Sequence, residues 1–149
     1  MSISKINGET IIAAFGGGYS LQGSLASATF NPVAASIYYA GGPLTASAAG
    51  TADVRRLYIP KTGTIKSCYG YFNQTASGSG NTGTLNIRKN NTTDTAVGSA
   101  QAHNVTSTLY SSTALSIAVT QGDYIEFKWT CPATTAPTNL TSSFIIYIE

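Results

Sequence analysis

The stretch DYIEFKWTC, residues 123–131, decides the fold class of this chain. Apolar and polar side chains alternate along it without a break. Successive side chains of a β-strand point to opposite faces, so this alternation predicts a strand with one face directed at a core. The predicted inward side chains are Ile125, Phe127, Trp129 and Cys131, and the outward ones are Tyr124, Glu126, Lys128 and Thr130.

Seven other segments have the short, β-branched and aromatic pattern of strands, and Gly, Pro and Asn turn signals separate them. No segment has a convincing helical period. Many short strands with one face inward indicate an antiparallel sandwich, and eight strands most simply form a jelly roll. We therefore expect an all-β, eight-stranded antiparallel jelly-roll sandwich. The seven segments are ASIYYA (35–40), DVRRLYI (53–59), TIKSCYGYFN (64–73), TLNIRKN (84–90), TAVGSAQAHNV (95–105), ALSIAVT (114–120) and SFIIYIE (143–149).

The segments CYGYF (68–72) and FIIYI (144–148) carry apolar or aromatic residues on both strand faces. Either these strands are central with both faces covered, or their outer faces lie in a subunit interface. A two-layer sandwich has no third layer to cover an outer face, which favours the interface. We expect a symmetric trimer whose subunits pack sheet edge to sheet edge. The predicted self-association residues are Tyr69, Tyr71, Ile145 and Tyr147.

The N-terminal part of the chain is rich in Gly, Ala and Ser and has no strand or helix period. Such a segment buries too little apolar surface to offset its ordering entropy alone. We expect residues 1–29 to form an extended attachment arm, mobile or loosely packed until another protein orders it, and residues 30–149 to form the sandwich domain. The predicted anchors of the arm are its spaced apolar residues, Ile3, Ile6, Ile11, Ile12 and Phe15.

Charge and hydropathy exclude several classes of partner. Only 9% of the residues are charged, against roughly 25% in an average soluble protein. A net charge of +2 is too small to favour nucleic-acid binding. No apolar run approaches the roughly 18 residues of a membrane span, and the N-terminus lacks the pattern of a secretory signal. We expect a protein that is made in a cytoplasm and binds neither nucleic acid nor membrane.

The sequence contains no recognisable catalytic constellation. The one histidine, His103, lies in a polar, threonine-rich segment, where we expect it at the surface. Asp123 and Glu126 are three residues apart on a strand, so they point to opposite faces and cannot act as paired carboxylates. Cys68 and Cys131 lie in strand-like segments and are expected to be small buried residues. We assign no catalytic, cofactor-binding or metal-binding residues.

The cluster NNTTD, residues 90–94, is the most polar part of the chain. Asp94 could hold a metal ion or act as a base there, or the cluster could be a turn between two strands. Asn and Asp tolerate the left-handed and Asx-turn conformations that a hairpin needs, which favours the turn. Asp123, which follows Gly122 before a strand, is expected to cap local backbone N–H groups.

Several segments, taken in chain order, resemble a family of small structural proteins of tailed bacteriophages. The resemblance covers roughly residues 30–149 and implies a compact jelly-roll module, a virion component that is commonly trimeric, and no enzymatic activity. The family includes capsid decoration proteins, head fibres and tail-associated receptor-binding proteins. The segments are FNPVAASIYYAGG, RLYIPKTGTIKSCYGYF, LNIRKNNTTDT, ALSIAVTQGDYIEFKW and a closing IYIE.

Two functions fit these observations. The first is a trimeric capsid decoration protein, made in the cytoplasm of a bacterial host and attached to the major capsid protein or another virion protein through its arm. The second is the receptor-binding head of a tail or head fibre, which contacts a host surface glycan or protein. Its plausible contacts are Tyr110, Tyr124 and the loop 77–83.

Overall fold

The computed structural model describes residues 17–25, 29–41, 55–75 and 82–149 of the 149-residue chain. Within these ranges no helix is long and apolar enough to cross a membrane. The described residues form strands β1 Tyr19–Gly23, β2 Ile37–Ala40, β3 Leu57–Tyr58, β4 Gly63–Thr75, β5 Thr82–Lys89, β6 Thr93–Ala96, β7 Gln101–Ala102, β8 Ser107–Ser112, β9 Ile117–Val119, β10 Tyr124–Thr130 and β11 Thr138–Ile148.

The strands form two antiparallel sheets that pack as a sandwich. One sheet has the order β1-β11-β4-β8, and β9 also pairs with β4. Its five described strands contain more residues than the six described strands of the other sheet, and we call it the larger sheet. The smaller sheet has the order β2-β10-β5-β6, and β3 pairs with β10 while β7 pairs with β5. The all-β antiparallel sandwich predicted from the sequence is confirmed.

The described residues contain more strands than the eight that the sequence predicts. Each predicted segment contains at least one strand, but residues 95–105 divide into the end of β6 and the short β7, separated by a bend around Gly98. Strands β1 and β8 were not predicted. Both are rich in serine or flanked by glycine, so their apolar residues are too few to give a clear two-residue period.

Strand β1 lies within the segment that the sequence assigned to the arm. It pairs with β11 in unbroken register from Tyr19 opposite Ile148 to Gly23 opposite Phe144. Leu25, just beyond it, is fully buried, and its backbone N–H donates to the Ser142 hydroxyl at 3.0 Å. The residues that fold into the sandwich therefore begin before the predicted boundary at residue 30.

The core lies between the two sheets and is built from aromatic and aliphatic side chains. The predicted inward face of β10 is confirmed, because Ile125, Phe127, Trp129 and Cys131 are all buried. Phe72 of β4 occupies the centre, with its ring centroid 5.1 Å from that of Trp129. The other members of the core cluster are Leu25, Ala40, Ile59, Ile65, Cys68, Leu85, Ile87, Val97, Tyr110, Leu115, Val119, Leu140, Phe144, Ile146 and Ile148.

The β5–β6 hairpin confirms the turn predicted for residues 90–94. Asn90 and Asn91 have positive φ values of 48° and 56°, the left-handed conformation that asparagine tolerates better than most residues. The Thr92 N–H then donates to the Lys89 carbonyl at 3.0 Å and closes the turn. The asparagine pair therefore has a structural role in reversing the chain.

Replacing Trp129 tests the packing of the core. Trp129 is fully buried in the sandwich, so Trp129→Ala should lower the free energy of unfolding by about 3–5 kcal/mol through lost burial and a residual cavity. Urea denaturation followed by far-UV circular dichroism measures this loss. Val105→Ala is the control, because Val105 is 53% exposed and its truncation should change stability much less. Equal losses from the two variants would contradict the assignment of Trp129 to the core.

Candidate functional site

The register of the larger sheet aligns a set of side chains on its outer face. Residues directly opposite each other on neighbouring antiparallel strands point to the same side of the sheet. None of the aligned residues is charged, and the nearby Lys66 lies in the region of β4 where the register with β11 shifts. We call this set the uncharged face. It comprises Ser20, Gln22, Ser67, Tyr69, Tyr71, Asn73, Ser107, Leu109, Ser111, Thr141, Ser143, Ile145 and Tyr147.

The centre of the uncharged face is a contiguous apolar patch. Tyr69 lies opposite Ile145, Tyr71 lies opposite Leu109, and the two tyrosines are neighbours on the same face of β4. The exposed fractions are 39% for Tyr69, 47% for Tyr71, 53% for Leu109 and 37% for Ile145. Contiguous exposed apolar side chains bordered by polar residues are typical of a protein–protein interaction site.

The structure brings the predicted self-association residues onto this one face. Tyr69, Tyr71 and Ile145 are exposed, while Tyr147 is half-buried beside Gly18, whose backbone lies close to the tyrosine ring. Strands β4 and β11 are central in the larger sheet, so these residues can meet a partner only across the face. The expected packing of subunits edge to edge does not fit this position.

Leu109 belongs to the patch although sequence reasoning did not find it. It lies on β8, within the unpredicted segment STLYSS. In the structure the neighbouring Thr108 and Tyr110 are buried while Leu109 is exposed. A single exposed leucine in a serine-rich segment does not give an alternating pattern from which a strand can be predicted.

The outer face of the smaller sheet has the opposite chemistry. Arg88 of β5 lies opposite Glu126 of β10 and opposite Asp94 of β6. The Lys128 ammonium is 2.5 Å from the Asp94 carboxylate, and the Arg88 guanidinium is 3.6 Å from it. Glu126, predicted to point outward, is fully buried. Asp94 therefore neutralises basic side chains of its own sheet, which is a structural role.

His103 is buried, and the expectation that it lies at the surface is wrong. Its Nδ1 atom is 2.6 Å from Gln74 Oε1, and its Nε2 atom is 2.8 Å from the Tyr110 hydroxyl. Burial lowers the pKa of His103 to about 4, so the ring is neutral at neutral pH. The sequence did not predict that His103 is buried, because its burial depends on Gln74 of β4. This polar side chain also points inward and forms a hydrogen bond with the His103 ring.

Among the described residues, the two cysteines and Asp123 are the other candidates that the sequence offered for chemistry. Cys68 and Cys131 are free and buried as predicted, and burial raises the pKa of each thiol to about 12. Asp123 accepts a hydrogen bond from the Thr120 N–H at 2.8 Å, which confirms the predicted cap. The Asn90 amide and the Lys89 ammonium also bond to it, and together these hydrogen bonds lower the pKa of Asp123 to about 2.

Within the described ranges no group of His, Cys, Asp and Glu residues is placed to hold a metal ion. The predicted receptor contact Tyr110 is fully buried and cannot meet a ligand, whereas Tyr124 is partly exposed beside the 60% exposed Tyr58. Most of the loop 77–83 lies outside the described residues, as do the predicted anchors Ile3, Ile6, Ile11, Ile12 and Phe15.

A mainly apolar cleft of about 510 Å³ lies at the start of β1. Gly17, Tyr19 and Leu21 line one side of the cleft, and Pro60 and Lys61 line the other. The Tyr19 hydroxyl donates to the Lys61 carbonyl at 2.5 Å and joins the two sides. Residues 1–16 therefore join the described part of the chain beside this cleft.

In comparisons with known proteins, no family model matches this chain, and no curated protein matches it either.

Removing the His103 side chain tests its buried role. His103→Ala leaves the Gln74 carbonyl oxygen and the Tyr110 hydroxyl without their partner, so the free energy of unfolding should fall by at least about 2 kcal/mol. Asn104→Ala is the matched control, because the neighbouring Asn104 is exposed and should change stability little. Thermal and urea denaturation measure both variants, and similar stabilities would contradict a structural role for His103.

Proposed function

We propose that this protein is a non-enzymatic structural component of a bacteriophage virion, a trimeric capsid decoration protein with a jelly-roll domain. The observation that carries the proposal is the uncharged face, with its exposed apolar centre on strands β4, β11 and β8. A sheet face of this kind is suited to burial against another protein surface. The resemblance to phage structural proteins, read from the sequence, supports the same function.

A second copy of the chain is the partner we propose for the uncharged face. In a cyclic trimer, residues near the threefold axis meet their own symmetry copies, so like charges there would repel one another. The uncharged face avoids this repulsion, whereas the charged side chains Arg88, Asp94 and Lys128 lie on the other sheet. Tyrosine suits such interfaces because its ring buries a large apolar area while its hydroxyl keeps a hydrogen-bonding group.

The N-terminal arm is the part that we propose attaches each subunit to the particle. Its apolar anchors Ile11, Ile12 and Phe15 precede Gly17 and strand β1. An extended segment of this kind can add a strand to an exposed sheet edge of the major capsid protein or another virion protein. Three arms on one trimer would raise the overall affinity through effective concentration.

The alternative is a receptor-binding head of a tail or head fibre that contacts a host surface glycan or protein. One observation favours it: Tyr58 is 60% exposed and its ring lies 5.9 Å from that of Tyr124. The Arg56 guanidinium stacks over Tyr124 at 4.3 Å. Exposed aromatic rings beside polar groups can form a ligand platform. Labelling of host cells by the purified protein would favour this alternative over capsid decoration.

A charge placed on the uncharged face should prevent assembly. We expect the purified protein to be a trimer at micromolar concentration and Tyr71→Lys to be monomeric, because a lysine buried against its symmetry copies is desolvated next to like charges. Sedimentation velocity and light scattering measure the mass, and circular dichroism confirms that the variant is folded.

Tyr58→Lys is the matched control for this experiment. It places the same substitution on the other sheet, at a residue that is more exposed than Tyr71, and should leave the trimer intact. A wild-type protein that stays monomeric, or a Tyr71→Lys variant that assembles normally, would contradict the proposed interface.

Deleting residues 2–18 tests attachment through the arm. The deletion ends directly before β1, so the sandwich should fold and form trimers but should no longer bind the particle. Particles lacking the protein are mixed with the truncated form, sedimented, and the bound copies counted. Deleting residues 2–25 is the control for over-truncation, because it removes β1 and the buried Leu25 and should destabilise the domain. Full occupancy by the shorter deletion would show that the sandwich itself attaches, and the arm hypothesis would be abandoned.

A further inference from the structure

His103 lies where the chain crosses from one sheet to the other. Strand β7 pairs with β5 of the smaller sheet, and β8 pairs with β4 of the larger sheet. Residues 101–108, which we call the crossover, therefore connect the two layers at one edge of the sandwich. His103 belongs to the crossover, and its ring is fully buried. The ring centroid lies 5.3 Å from that of Trp129 in the smaller sheet and 5.5 Å from that of Phe72 in the larger.

The hydrogen bonds around His103 have one consistent direction. The Gln74 amide nitrogen donates to the Val105 carbonyl and to the Thr108 hydroxyl, each at 3.0 Å, and Thr108 donates onward to the Ala102 carbonyl. Gln74 Oε1 must then be an acceptor, so His103 Nδ1 carries the proton that it receives. His103 Nε2 is left as an acceptor for the Tyr110 hydroxyl. The neutral ring with its proton on Nδ1 therefore satisfies each of these hydrogen bonds.

A second proton on the ring would change this network. It would sit on Nε2, so the Tyr110 hydroxyl would have to turn its own proton away and accept instead, and that buried O–H would lose the acceptor it has in the neutral network. Burial opposes the positive charge as well, and it holds the pKa of His103 at about 4 in the closed sandwich. In the opened chain the pKa returns to its usual value near 6.5, so the open form binds protons more readily.

The groups that face His103 from the packed elements do not titrate in the same pH range. Strand β4 contributes Gln74 and Phe72, which do not ionise. Strand β8 contributes Tyr110, and burial raises the pKa of its hydroxyl. Strand β10 contributes Trp129, and beyond it Cys131, whose pKa is about 12. The charged Lys128 and Asp94 pair with each other on the opposite face of the smaller sheet.

We propose that His103 and its partners form a proton-operated latch that holds the crossover closed at neutral pH and releases it in acid. The released segment is residues 101–108, while the central strands β4, β10 and β11 stay paired. Because the folded-state pKa is depressed, closure is complete above about pH 6.5 and is lost progressively as the pH falls towards 4. From these two pKa values, the opening equilibrium should rise on the order of 50-fold between about pH 7 and pH 4.5.

The latch has a consequence for the uncharged face, and this consequence rests on the proposed self-association. Leu109 of the apolar patch directly follows the crossover, and its neighbour Tyr110 is the latch's hydroxyl donor. Opening the crossover removes the support beneath Leu109 on β8. Acid should therefore weaken association through the uncharged face before the sandwich unfolds.

The single histidine and single tryptophan make the latch directly measurable on the full chain. Nitrogen-detected NMR should show one imidazole with its proton on Nδ1 at pH 7. Hydrogen-exchange protection factors between about pH 7 and pH 4.5 should fall on the order of 50-fold in residues 101–108 and change much less in β4 and β11. A His103 that titrates near 6.5 with no loss of protection in the crossover would overturn the latch. So would an equal loss of protection throughout the sandwich.

Two variants make the test specific to His103. His103→Asn keeps an amide donor for Gln74 but cannot take up a proton, so its crossover protection should be independent of pH over this range. Tyr110→Phe removes the donor that favours the neutral ring, so it should raise the pH at which the crossover opens. Acid opening of His103→Asn equal to that of the wild type would overturn the proposal. A protein that is monomeric at every pH would instead contradict the proposed self-association and leave the latch measurements valid.

Discussion

The packing of Phe72 between the two sheets is the contact on which the rest of the structure depends. Its ring centroid lies within 5.5 Å of those of Trp129 from the smaller sheet and of Tyr110, Phe144 and His103. Edge-on and tilted ring contacts of this kind add to the free energy of apolar burial. Because the rings come from different strands and from the crossover, this one side chain contacts both layers and the polar network at the sandwich edge.

The sandwich separates its chemistry into three layers. Aromatic and aliphatic side chains fill the interior, paired charges occupy the outer face of the smaller sheet, and the outer face of the larger sheet has no aligned charge. A chain with only 9% charged residues cannot cover both outer faces with solvated ions. Because the charges are concentrated on one sheet, the outer face of the other sheet is left available for a partner. The low fraction of charged residues is therefore consistent with the proposed assembly.

The sequence predicted those parts of the structure in which one strand face is apolar and the other polar. The inward face of residues 123–131 and the Asn90–Asn91 turn were predicted correctly, because alternation and left-handed propensity are local properties. The burial of Glu126 on the other face of that strand was not predicted. The apolar residues on both faces of β4 and β11 correctly indicated the exposed side chains Tyr69, Tyr71 and Ile145 on the outer face. The exposure of Leu109 and the burial of His103 could not be predicted from neighbouring residues, because each depends on strand β4, which is distant in the sequence. The hydrogen-bond partner of His103 on that strand is Gln74.

Strand β11 occupies a central position in the larger sheet, between β1 and β4, although it is the last of the described strands in chain order. Residues 19–23 can therefore form their hydrogen bonds with β11 only after residues 144–148 have been synthesised. During synthesis, β4 is made long before its central neighbour, and its unpaired edge stays open to other chains. The yield of folded protein on expression should consequently depend on how quickly β11 is translated. Slow translation through residues 138–148 would favour aggregation over folding.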